Sequence, residues 1–159
     1  MNQYKEVNDF LKSVESMVIS TISSETGVPQ SGLVYYIPDE AGHIYFATAK
    51  DSRKLLNMQK NASVALVVVD DTNPIELQIE GTAHEITDPD KKTVIIDKIA
   101  LLSNGTPRTS GWPPLLTLSM KSGVACVEIT IVHFKYSNFS VHPGTVITGT
   151  RNELLFNYS

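Results

Sequence analysis

Ser31-Gly32-Leu33-Val34-Tyr35-Tyr36-Ile37-Pro38-Asp39-Glu40-Ala41-Gly42-His43-Ile44-Tyr45-Phe46-Ala47-Thr48 is the stretch that decides how this chain folds. Gly32 to Ile37 is rich in β-branched and aromatic residues and reads as a strand. Pro38 to Gly42 is an acidic loop containing glycine, and His43 to Thr48 returns as the next strand, so the pair is a hairpin. Ala49-Lys50-Asp51 then turns the chain into a short helix, predicted from Ser52 to about Gln59, with Leu55, Leu56 and Met58 among polar residues.

Towards the N-terminus, Tyr4, Val7, Phe10, Leu11 and Val14 fall at helical spacing and predict an amphipathic helix over Gln3 to Val14. Met17 to Ser23 reads as a strand, and Glu25-Thr26-Gly27-Val28-Pro29 as a turn. Towards the C-terminus, Val64 to Val69 is an unbroken apolar run, which predicts a strand covered on both faces. After the turn Asp70 to Pro74, Ile75 to Ile86 is a long strand with Glu76, Gln78 and Glu80 on one side. Asp88 caps a helix with Pro89 at its first position, running to about Ser103. Asn104 to Pro114 reads as a loop holding Trp112, and Leu115 to Met120 and Gly123 to Phe139 supply the last strands. The tail from His142 to Ser159 has no clear periodicity. Short turns join most of the strands, which favours antiparallel pairing and a barrel over a doubly wound parallel sheet.

A chain of 159 residues fits a single domain spanning 1–159, and 42% hydrophobic with 19% charged residues is an ordinary globular composition. The net charge of −4 argues against a broad nucleic-acid surface, while a local basic cluster can still hold one small anion. The opening MNQYKEVNDF has no apolar signal region, and no apolar run approaches the roughly 20 residues that cross a bilayer. The expectation is a soluble cytoplasmic protein with no membrane contact. Cys126 is the single cysteine, which leaves no internal disulfide, and its apolar neighbours make it a small buried residue. His43, His84, His133 and His142 are scattered without ligand spacing, so no metal site is expected.

Thr48 to Lys54 carries the chemistry. The first N–H groups of a helix lack internal partners and carry partial positive charge, which suits a phosphate. Thr48 and Ser52 add hydroxyl donors, Arg53 a planar fork and Lys54 a compact charge. Taken alone, these residues more often mark the capped start of a solvated helix, because short basic triplets are common.

The block from Ser31 to Gly81 resembles the flavin-binding half of the pyridoxamine 5′-phosphate oxidase-like split-barrel family. The hairpin ends in Thr48, and Ser52-Arg53-Lys54 follows at the family's spacing. Asn57-Met58-Gln59-Lys60-Asn61-Ala62-Ser63-Val64-Ala65-Leu66 is similar to its helix, turn and apolar strand, and Ile79-Glu80-Gly81-Thr82-Ala83 to its glycine-centred strand. The resemblance implies a mainly β fold: a six-stranded antiparallel split β-barrel of Greek-key type with a few flanking helices. It implies flavin mononucleotide (FMN) as cofactor, with Thr48, Ser52, Arg53 and Lys54 on the phosphate. Ser31, Gly32, Leu33, Val34 and Tyr35 would run along the ring, joined by Ala47. Trp112 would approach from a loop, and a homodimer would hold the flavin at its interface. The implied activity is electron transfer with a small organic acceptor or donor. Other members of the family act in stress responses, reduce nitro compounds, handle haem or use deazaflavin.

Two positions depart from the parent oxidase. Tyr36 stands where that enzyme has a substrate-gripping Lys, and the helix from Asp88 lacks its Tyr/Arg/Ser set. Glu76 replaces a flavin-contacting Gln, and an ionised carboxylate cannot donate as an amide does. Both argue against pyridoxamine-phosphate oxidation. No side chain stands out as a catalytic acid or base, so the alternative is a flavin-binding or redox-sensing dimer without catalysis.

Overall fold

The computed structural model describes residues 3–102 and 123–155. Trp112, the loop expected over Asn104 to Pro114 and the strand expected over Leu115 to Met120 lie outside them, as do the last residues of the tail.

Strand β1 (Ser16–Ile22) pairs with β2 (Pro29–Tyr35) across a turn whose Gly27 has φ +72°, a conformation that side chains rarely adopt. Ser23 fastens this turn, its hydroxyl accepting from the N–H groups of Glu25 and Thr26. The predicted strand Gly32 to Ile37 is broken at Tyr36, and the chain resumes as β3 (Ile37–Pro38). Tyr36 leaves the ladder because its N–H donates to the Glu15 carbonyl and its hydroxyl to the Leu11 carbonyl. Strand β4 (His43–Ala49) follows, then β5 (Ser63–Asp70), β6 (Ile75–Glu85), β7 (Val124–Asn138) and β8 (Thr145–Thr150).

The sheet runs β2-β1-β5-β6-β7-β4-β3, antiparallel throughout. Its two ends, β2 and β3, are consecutive in the chain, so the sheet curls back on itself. The described residues contain eight strands rather than the six expected. Two causes account for the difference: Tyr36 divides one run into β2 and β3, and the tail supplies β8. The second edge of β7 is shared, with β4 along Val124 to Thr130 and β8 along His133 to Asn138.

Helix α1 (Gln3–Ser13) lays Val7, Phe10 and Leu11 into the barrel core, and its Glu6 accepts from the Tyr136 hydroxyl and the Asn138 amide. Helix α2 (Arg53–Lys60) places Leu55 and Met58 in the same core. Helix α3 (Pro89–Leu102) packs outside the barrel, where Ile95, Ile96 and Ile99 meet Tyr35, Tyr45, Val124 and Cys126. The Asp88 carboxylate accepts from the N–H of Asp90, as its capping role predicts. The tail ends in α4 (Arg151–Leu155).

Among the described residues the run Val64 to Val69 is buried on one face only. Val64, Leu66 and Val68 point into the barrel, whereas Ala65 is exposed, Val67 is half-buried and Val69 is 51% exposed. The twofold apolar pattern therefore outlasts what the described residues bury.

Gly81 explains the glycine-centred strand. A Cβ there would stand 2.6 Å from Ile129 Cγ2 and 3.1 Å from the Thr130 carbonyl oxygen. The β6–β7 register shifts between Glu80 and Gly81, so the bulge draws the strands together where no side chain fits.

Candidate functional site: the N-terminus of α2

Strand β4 delivers Thr48 to the point where α2 begins. Ser52 is the N-cap, with extended backbone, and its Oγ accepts from the N–H of Leu55. The Thr48 hydroxyl also donates to Ser52 Oγ, at 3.0 Å. Both lone pairs of Ser52 are thereby engaged, which leaves its own proton to donate to a group outside the helix.

Lys54 is half-buried and Arg53 exposed. Burial lowers the Lys54 pKa from its ordinary value, and the Arg53 guanidinium beside it lowers it further. Among the described residues no carboxylate forms an ion pair with either cation. Two adjacent positive charges, one partly desolvated, thus meet at a helix N-terminus without an ion-paired carboxylate among the described residues. An anion is what this arrangement lacks.

The site extends to β2. A Cβ built at Gly32 would lie 3.5 Å from Lys54 Cε, so the lysine stem rests against the strand where it has no side chain. Among the described residues β2 pairs in the sheet only with β1, and its other edge lies beside β4. The barrel is split here. Thr48, Ser52, Arg53, Lys54 and Gly32 are therefore brought together as expected.

The remaining expected contacts divide. Ser31 and Leu33 face outward and are exposed, with the Ser31 hydroxyl 2.8 Å from that of Ser20. Val34 points into the core, while Tyr35 and Ala47 join the cluster under α3. The side chains of Val34, Tyr35 and Ala47 are thus taken up by packing, which leaves these three their backbone to offer a ligand. Glu76 lies apart: it is opposite Ser137 on β7, whereas Thr48 is opposite Ala125. That is roughly 35–40 Å of strand. The Glu76 carboxylate accepts from the Gln78 amide at 2.6 Å.

Asn57 has a role its sequence position hid. Its side-chain amide donates to Thr21 Oγ1 and Gln30 Oε1, both at 3.0 Å, and its carbonyl accepts from the N–H of Ser24. It is buried and ties α2 to both strands of the first hairpin. The signal available was a polar residue on the inner face of an amphipathic helix. Asn57→Leu is expected to cost roughly 2–4 kcal/mol, since it orphans several buried polar groups. Chemical denaturation measures this, and an unchanged midpoint would contradict the anchoring role.

Elsewhere the chemistry is quiet. Burial pushes the Cys126 thiol up to about 11, so it is inert at neutral pH. Among the described residues no cluster of three or more His, Cys, Asp or Glu could hold a metal ion. No helix among them is long and apolar enough to cross a membrane. Tyr36 is buried and its hydroxyl committed to Leu11, so nothing at that position reaches for a substrate phosphate.

The pyridoxamine 5′-phosphate oxidase family model matches residues 4–135. The chain belongs to that family. A search of curated proteins returned no match. Among solved structures, the chain is similar to a protein related to general stress protein 26 from Clostridium acetobutylicum. That pair is 17% identical, with 95% of this chain and 96% of that one covered and a TM-score of 0.69. General stress protein 26 of Bacillus anthracis is 16% identical over 86% of this chain and 94% of its own, with a TM-score of 0.65. A heme binding protein from Mycobacterium smegmatis is 10% identical, with 96% of this chain and 60% of that one covered and a TM-score of 0.69. At such identities these likenesses establish the family's split-barrel fold, and the cofactor is argued from this chain's own residues.

Proposed function

We propose that this family member binds FMN at the N-terminus of α2 and acts as a flavin-dependent oxidoreductase on a small organic acceptor. The observation that carries the reading is the unbalanced Arg53–Lys54 pair beside the capped helix and the open edge of β2. When bound, the flavin supplies the hydride and electron chemistry. The chain's own part is to hold the phosphate with Ser52, Arg53 and Lys54. It also presents the second edge of β2 to the ring's polar edge.

The reading includes a two-fold homodimer. Val18, Leu33, Val69 and Val132 are exposed on the strands, and the two-faced apolar run of β5 asks for a cover. If Glu76 touches a flavin held by Thr48 to Lys54, it does so from a second copy, because within one chain the two lie towards opposite ends of β7. Light scattering is expected to give twice the chain mass, and Val67→Lys to give a monomer. A monomeric wild-type protein would contradict the dimer.

The assignment is tested by the ligand released on denaturation, followed by bleaching of the bound flavin with NADPH or NADH and turnover with quinones or nitroaromatics. Released FMN with no turnover would leave a flavin-binding or sensing protein. Haem in the released fraction would overturn the cofactor.

Affinity is also expected to depend on pH with a defined sign. It rises as the phosphate takes its second charge near pH ~6. It falls again as pH climbs through the lowered pKa of Lys54, before an ordinary lysine at about 10.4 would deprotonate. Lys54→Arg is expected to remove the falling limb, and an unaltered profile would exclude Lys54 from the contact.

A further inference from the structure

The turn between β3 and β4 is held from two sides. From within, Asp39 Oδ1 accepts from the N–H groups of Ala41 and His43, both at 2.8 Å. From outside, Arg151 at the start of α4 lays its stem over Gly42, where a Cβ would stand 2.8 Å from Arg151 Cγ. The guanidinium then donates twice: Nε to the Ala41 carbonyl at 2.8 Å, and Nη2 to His43 Nε2 at 3.2 Å. Among the described residues no carboxylate forms an ion pair with Arg151.

The two partners of His43 fix its protonation. Asp39 Oδ2 lies 3.0 Å from Nδ1. Burial opposes the Asp39 charge, yet the His43 N–H, its imidazole and the Tyr45 hydroxyl together hold that carboxyl below its ordinary pKa. An ionised carboxylate only accepts, so Nδ1 carries the ring proton. A guanidinium only donates, so Nε2 is bare. The imidazole that bridges them is therefore neutral. A second proton has to go on Nε2, where it would face the Arg151 donor.

Other charged groups surround the ring. Glu128 of β7 accepts from Lys91 of α3 at 2.6 Å, and at the turn Glu40 lies 3.8 Å from Lys12 of α1. The Tyr45 ring is 6.2 Å from the imidazole, with its hydroxyl given to Asp39. Asp39 and Glu128 favour the second proton and Arg151 opposes it. The Arg151 contact is the one that the second proton breaks.

We infer that His43 and Arg151 form a pH-sensitive latch, closed while the imidazole is neutral and opened by a proton on Nε2. Closed, it fixes α4 to the β3–β4 turn, with Leu154 in the core and its carbonyl accepting from the Asn8 amide of α1. Opened, Arg151 keeps its bond to the Ala41 carbonyl, and the C-terminal segment detaches more often. A carboxylate at His43 would hold the guanidinium well into acid, whereas histidine ordinarily changes charge between about pH 5 and 8. The inference stands whether or not flavin binds at α2.

The test is hydrogen exchange of the full chain, expressed as protection factors so that the intrinsic pH dependence of exchange cancels. Protection over Thr145 to Leu155 is expected to be about tenfold lower at about pH 5 than at about pH 8. Glu153 is not the source, because the Thr150 N–H and hydroxyl hold its carboxyl below the usual range. His43→Gln keeps an acceptor for Arg151 that takes no proton, and is expected to abolish the step. Arg151→Leu is expected to give the low protection at both pH values. His133→Gln, which removes the histidine paired with Thr150, is expected to retain the step. In the wild-type chain, nitrogen NMR at about pH 8 is expected to find the ring proton on Nδ1. A proton on Nε2 there, no step in the wild-type chain, a step that survives His43→Gln or one lost in His133→Gln would each overturn the inference.

Discussion

Replacing Arg53 and Lys54 together by alanine is expected to weaken FMN binding by about 10²–10⁴-fold. Each cation makes a charge-assisted contact worth ~1.5–3 kcal/mol, and the two losses need not add fully. A direction of change separates a ligand role from a structural one. Lys54 is partly desolvated and pressed by Arg53, so removing the pair relieves repulsion in the ligand-free protein. Its thermal midpoint should hold or rise while its flavin affinity collapses. Fluorescence titration and a thermal melt without ligand read the two quantities separately. Unchanged affinity would remove the phosphate from this segment, and a large fall in the ligand-free midpoint would make the pair structural.

Gly81→Ala is expected to be the most damaging single methyl addition on the strands. The new Cβ would overlap Ile129 Cγ2 at 2.6 Å and press on the Thr130 carbonyl oxygen at 3.1 Å. The backbone contact cannot rotate away, so β6 and β7 must separate. Overpacking of this kind costs ~1–3 kcal/mol. For a chain of this size that is a fall in Tm of roughly 2–12 °C. Gly81→Val adds the same clash with more bulk and is expected to lower the yield of folded protein. By contrast, Gly123→Ala meets nothing within 4 Å and serves as the control. Equal melting temperatures for Gly81→Ala and Gly123→Ala would contradict the close-approach argument.

The short hairpin of β3 and β4, the helix after Ser52 and the cap at Asp88 were legible because each rests on local rules, whereas Gly32 to Tyr35 pairs with β1 and not with β4. Alternation, a turn-forming loop and a capping side chain act within a few residues of one another. What the sequence hid depends on distant partners. Tyr36 breaks its strand because Glu15 and Leu11 accept its donors, and no local pattern marks them. The tail showed no period, yet Thr145 to Thr150 finds a strand because the far half of β7 leaves an edge open.

The candidate site was legible in the same measure. Its cationic triplet stands in one run of chain, so the spacing of Ser52, Arg53 and Lys54 could be read directly. The resting of Lys54 on Gly32, the Thr48–Ser52 hydrogen bond and the Asn57 anchor arise only when three separate elements meet. Val64 to Val69 is a case where the sequence carries more than the single chain uses. Its run is apolar on both faces, and among the described residues the outer face is only partly covered. Glu76 shows the reverse, since its position on β6 places it towards the far end of β7 from Thr48.

The most direct test of the phosphate-binding segment is to titrate the ligand-free protein with FMN and with riboflavin, which share the ring and differ in the phosphate. If Thr48 to Lys54 grips the phosphate, FMN should bind about 10²-fold or more tightly than riboflavin, as expected for charge-assisted contacts to a single group. The Arg53→Ala/Lys54→Ala protein should lose that preference. Equal affinity for the two ligands in the wild-type chain would contradict the account at its centre.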